Sequence, residues 1–125
     1  MHKSRLGSFI IDCKSQDLDE AARFWGQALG YEVKRHPGDD RYAELKTASG
    51  EPTMEVQIVN HDSRIHLDIE TDDIAAEVSR LEKLGAKRIE DFPRWVVMEA
   101  PTGQRFCVVN PQRADFEENA KTWKA

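Results

Sequence analysis

The chain has 125 residues, 39% of them apolar and 33% charged, with a formal net charge of −5; one globular domain of this size buries about two thirds of its unfolded surface. No Lys/Arg cluster offers a surface for phosphates, which argues against a nucleic-acid partner. No apolar run approaches ~20 residues, and none follows the charged start Met1-His2-Lys3-Ser4-Arg5-Leu6, so neither a membrane span nor a secretory signal is expected and the cytoplasm is the expected compartment.

Taken in order, the spacing predicts a first strand over residues 7–14, entered after Gly7, with His2 in a disordered start. A helix follows from about Asp17 to Leu29. Asp17 is placed to cap it, with Glu20 three residues on, and Leu18, Ala21, Ala22, Trp25, Ala28 and Leu29 mark its packing face. Gly30 ends it, where a left-handed residue is least costly. Strands are predicted near 31–35, 41–47 and 54–60, separated by Pro37-Gly38-Asp39-Asp40 and Ser49-Gly50-Glu51-Pro52. A strand over 64–70 and a helix from about Asp73 to Leu84 come next, with Ile74, Val78 and Leu81 inward and Gly85 as the stop. Three more strands are expected near 87–90, 95–99 and 105–110. The tail reads as a short helix whose Phe116 and Trp123 stay exposed unless it docks.

The order is spoken twice. Sliding the chain by 56 positions puts Asp12 on Asp68, Ile10 on His66 and Asp17-Leu18 on Asp73-Ile74. Both helices end in Leu-Gly, at Leu29-Gly30 and Leu84-Gly85. Both halves close on similar strands, Val56-Gln57-Ile58-Val59-Asn60 and Phe106-Cys107-Val108-Val109-Asn110. Such a tandem duplication gives one domain over 1–125, with module one at about 7–60, module two at about 64–112 and a tail at 113–125. Each module alone would expose an apolar sheet face.

With Asp17-Leu18-Asp19-Glu20-Ala21-Ala22-Arg23-Phe24-Trp25, Ala28-Leu29-Gly30-Tyr31, the His66-Leu67-Asp68-Ile69 strand, and Trp95-Val96-Val97-Met98 ahead of Pro101-Thr102-Gly103-Gln104-Arg105-Phe106-Cys107, the chain resembles the vicinal oxygen chelate superfamily. That superfamily joins glyoxalases, bleomycin-resistance proteins and extradiol dioxygenases; the pattern looks most like its small glyoxalase-like branch. The resemblance implies an α+β fold of tandem βαβββ modules, each curling an incomplete barrel; three strands between the helices and three after the second favour this over a ferredoxin-like sandwich. It does not choose an activity, since the superfamily hosts isomerases, epimerases, dioxygenases and plain binding proteins.

Equivalent positions of the two modules pair Ile10 with His66 and Gln57 with Cys107. In the family these four positions are where a divalent metal is held. Carried over singly, His66 offers an imidazole, Gln57 a carbonyl oxygen, Cys107 a thiol where a carboxylate is usual, and Ile10 nothing. The metal candidates are therefore His66, Gln57 and Cys107, an incomplete set better suited to zinc than to manganese, magnesium or iron. The expected cofactor is none or a divalent metal. Asp12 and Asp68 share strand parity with Ile10 and His66 and face the same way, and His66 is the candidate general base. Trp95 and Met98 are candidate walls for an apolar ligand, completing a ligand set of Ile10, Asp12, Gln57, His66, Asp68, Trp95, Met98 and Cys107. Cys13 and Cys107 fall on opposite sheet sides and read as free thiols.

Three functions stay open: a metal-free small-molecule binder like the bleomycin-resistance members, a metal-dependent lyase, isomerase or dioxygenase acting on vicinal oxygens, and a metal-independent acid–base enzyme using His66 and an aspartate. A homodimer is expected.

Overall fold

A computed structural model describes residues 1–124. Its elements are β1 (His2–Lys14), α1 (Leu18–Leu29), β2 (Val33–Arg35), β3 (Tyr42–Leu45), β4 (Thr53–Val59), β5 (Arg64–Thr71), α2 (Ile74–Lys83), β6 (Lys87–Asp91), β7 (Trp95–Glu99), β8 (Arg105–Val109), α3 (Phe116–Asn119) and β9 (Lys121–Trp123). The chain divides into two units, Ser8–His66 and Met1–Gly7 with the chain from Leu67 onward.

In the unit Ser8–His66 the strands run β2-β3-β4-β1. β1 and β4 are parallel, in register from Ser8↔Thr53 to Lys14↔Val59, and β3 pairs antiparallel with both β4 and β2. Asp17 caps α1 by accepting the Glu20 amide at 3.0 Å, and Gly30 closes it at φ 77°. Leu18 and Ala22 press onto Ile11, Ala43, Leu45 and Val56 to form one core. The expected face packs through Leu18, Ala21, Ala22 and Trp25, and departs only at the helix end, where Leu29 is exposed and Gly26 is buried. The cause is close approach. A Cβ on Gly26 would lie 2.8 Å from Val33 Cγ2 and 3.0 Å from the Tyr31 carbonyl oxygen.

The other unit repeats the plan as β5-β8-β7-β6. β5 and β8 are parallel, and the β8–β7 and β7–β6 pairs antiparallel. Asp73 caps α2 through the Ala76 amide, and Val78 and Leu81 pack on Val96, Met98 and Val108. The repeat seen in sequence is thus a repeat of strand register: Asp12↔Gln57↔Tyr42 in one unit corresponds to Asp68↔Cys107↔Val97 in the other.

One expectation is corrected here: the N-terminus is not disordered, because β1 begins at His2 and buries it. The tail takes the docked alternative: Phe116 is 3% exposed, and β9 pairs antiparallel with residues 2–4 of β1. Trp123 Nε1 donates to Ser4 Oγ at 2.7 Å, and the Arg80 guanidinium lies 3.9 Å above the indole. A polar N-terminal strand finds its partners in the tail. The sequence pattern of neither segment alone shows this.

Candidate functional site

Strand alternation sorts the side chains of each unit into two faces. In Ser8–His66, Ile11, Val56 and Ala43 face α1, so Ile10, Asp12, Gln57 and Tyr42 stand on the helix-free face. Asp12 is the register partner of Gln57, and Gln57 of Tyr42. Ile10 lies beside Glu55, which is paired with Glu44, and Glu44 is 3.4 Å from His36 Nε2.

The centre of this row is a buried pair. Asp12 is 2% exposed, and its Oδ2 lies 2.7 Å from His66 Nδ1. Arg64 Nε approaches the same oxygen at 3.7 Å. Asp12 Oδ1 is buried without a hydrogen-bond partner among the described residues. A buried carboxylate is costly unless compensated, and here the imidazole and the guanidinium supply the compensation. The sequence reading gives Arg64 no role. Nothing local marks it, since its importance comes from a strand 52 residues earlier (Arg64 minus Asp12).

The thiol next to this row is held in its protonated form by its surroundings. Cys13 packs against the α1 core. Burial pushes its thiol up, a hydrogen bond with Trp25 opposes this, and the Asp12 charge adds to the rise. Cys13 and Cys107 are both free.

In the other unit, Asp68, Cys107, Val97 and Trp95 share the face turned away from α2, with Asp68 and Cys107 in direct register. Trp95 stacks on Phe92 at 4.5 Å between ring centroids. Met98 is not brought to this face: it is fully buried in the core beneath α2 with Val78 and Val108. A strand position one residue from a pocket wall is a core position. Outside these faces, a groove of about 300 Å³ beside α1 is lined by Asp19, Arg23, Gly26, Gln27, Tyr31 and Val33, and holds none of the predicted site residues.

The metal implied by the resemblance does not fit the residues at the four family positions. Ile10 is a hydrocarbon at 2% exposure, Gln57 offers only a neutral amide oxygen, and a thiol replaces the carboxylate at Cys107. Within the unit from Leu67 onward, Asp68 and its register partner Cys107 bring one carboxylate and one thiol to neighbouring strands.

Two βαβββ units, each with a parallel first-to-last strand pair and a polar, helix-free face, define the architecture of the vicinal oxygen chelate superfamily. Residues 8–109 match the family model described as a glyoxalase-like domain, and the chain belongs to that family. Solved structures agree at the level of fold. Methylmalonyl-CoA epimerase from Mycobacterium tuberculosis superposes with a TM-score of 0.65 at 17% identity, over 86% of this chain and 88% of that one. A Streptomyces coelicolor methylmalonyl-CoA epimerase variant in complex with 2-nitronate-propionyl-CoA gives 0.59 at 19% identity, over 87% and 98%. A hypothetical protein, BH1468 from Bacillus halodurans C-125, gives 0.63 at 14% identity, over 88% and 96%. No curated protein sequence matches significantly.

Proposed function

We propose that the protein binds a small organic molecule on the helix-free face of its first module, with His66 as the group that meets the ligand, and that it works without the complete metal set of its family. One observation carries this reading. Ile10, buried at 2% exposure, stands at the repeat equivalent of His66, so one of the two first-strand ligand positions is hydrocarbon. The neighbouring Asp12, Gln57 and Tyr42 supply hydrogen-bonding groups on the same face. The ligand-bound epimerase of similar fold supports a small-molecule role for such a sheet.

The chemistry available to this face is proton transfer and hydrogen bonding. A neutral imidazole takes a proton near neutral pH, and the Gln57 amide both donates and accepts. A thermal-shift panel of carboxylates, aromatic acids and acyl-CoA thioesters, methylmalonyl-CoA among them, tests the reading in the presence of EDTA. A true ligand at a hundredfold excess over its Kd adds about 2.7 kcal/mol to stability, and His66→Ala abolishes the shift. A shift that survives His66→Ala places the ligand elsewhere.

A second reading, a metal-dependent enzyme acting on vicinal oxygens, is favoured by one observation: the register pair of Asp68 and Cys107, a carboxylate beside a thiol, in a chain of the glyoxalase-like family. Under it the shift needs a divalent metal and EDTA removes it.

A further inference from the structure

We infer that Arg64 selects the ligand of the helix-free face, and that the class it selects is a small carboxylate. The inference rests on the reading that a ligand meets His66, and it adds the charge which that ligand carries. Arg64 stands on β5 two residues before His66, and both side chains approach Asp12 Oδ2. Strand alternation thus puts the guanidinium on the same face as the imidazole. The separation of Arg64 Nε from Asp12 Oδ2 is 3.7 Å, beyond hydrogen-bond reach. Asp12 therefore attracts the guanidinium without consuming a donor. Arg64 donates no hydrogen bond to any of the described residues, and its side chain is 49% exposed. Asp12, at 2% exposure, lies out of a ligand's reach.

Other cations of this module are placed differently. Arg35 is paired with Asp19 and donates to the Asp39 carbonyl, and Lys34 stands on the edge strand β2 opposite Glu44. A guanidinium with its donors unspent presents a planar fork that matches the two oxygens of one carboxylate. The surroundings limit the charge. Glu55, the register partner of Ile10, lies opposite Glu44 on the same face, and with Asp12 these acids repel a second negative charge on a ligand. A monoanion gains the fork of Arg64 at the least repulsion; a dianionic phosphate meets more of it.

Arginine Nε–Hε correlation spectra of the intact protein, titrated with benzoate and with its neutral isostere benzamide, test the inference. The Arg64 signal is assigned by its loss in Arg64→Lys. We expect benzoate to move that signal saturably, and benzamide or inorganic phosphate to leave it in place. Arg64→Gln should weaken benzoate binding about tenfold and leave any benzamide affinity unchanged, while Arg64→Lys should keep part of the preference for the anion. A merely structural role for Arg64 would weaken both probes alike. An Arg64 signal unmoved by benzoate at tens of millimolar, an unchanged benzoate affinity in Arg64→Gln, equal losses for the two probes, or a larger response to phosphate than to benzoate overturns the inference. The signal belongs to Arg64 itself, so its failure is read apart from failure of the ligand reading, which His66→Ala tests in the thermal-shift panel.

Discussion

Glu77 sits on α2 with no exposed surface, held by Arg80 Nε and Nη2 at 2.9 and 2.7 Å and by His2 Nε2 at 2.8 Å. Burial alone would push its carboxyl up; hydrogen bonds from Arg80, His2 and Ser4 outweigh it and hold the group below the ordinary carboxylate value. A depressed folded-state pKa contributes stability that is fully present above the unfolded value of about 4.3 and is lost as pH falls through the folded value. Asp115, hydrogen-bonded by Arg5 and Asn119, titrates at about 2 and adds to the same acid limb. Urea melts of the wild type should therefore weaken progressively below about pH 4; a midpoint flat down to pH 2.5 would contradict this. Glu77→Ala leaves Arg80 and His2 facing an empty site and should cost about 3 kcal/mol at neutral pH, read as a lowered denaturation midpoint. Glu77→Ala protein should also lose most of the acid limb that Glu77 supplies.

At the scale of elements, Gly26 sets the seat of α1. Gly26→Ala should cost about 1–3 kcal/mol, because the Tyr31 carbonyl is backbone and cannot step aside. Gly30→Ala meets nothing within 4 Å and pays only for its positive φ, about 1–2 kcal/mol. The tail is an element as well. Lys3 and Arg5 of β1 reach Glu117 and Asp115, Glu70 accepts from Arg5 and from the Gln112 amide, and Phe116 is buried. Deleting residues 113–125 should lower the melting temperature and speed amide exchange at residues 2–4; a deletion variant with unchanged exchange there would show that β9 is dispensable. Helices, most strands and the repeat were legible in sequence, because caps, glycine stops and apolar alternation act locally. His2, Glu70 and Glu77 were not. Each is a polar residue whose burial is decided by a partner 65 or more positions away, and by type alone such residues read as surface.

For the whole molecule, the candidate site divides the same way. Symmetry of the duplication singles out His66, Gln57, Asp12 and Cys107 as candidates, and strand register pairs Asp12 with Gln57 and Asp68 with Cys107. It could not find Arg64, and it placed Met98 on a ligand face when strand parity under α2 makes it core. Family membership brings the expectation of a metal, while Ile10 and the thiol of Cys107 oppose the family's own site. The central claim is a ligand face that works without that metal. Elemental analysis of untagged protein, with His66→Ala protein prepared in parallel, tests it most directly. The account predicts less than a tenth of an equivalent of any transition metal in either sample, including after incubation with zinc, iron, manganese and nickel followed by desalting. Near one equivalent in the parent, lost in His66→Ala, would contradict it and make His66 a metal ligand.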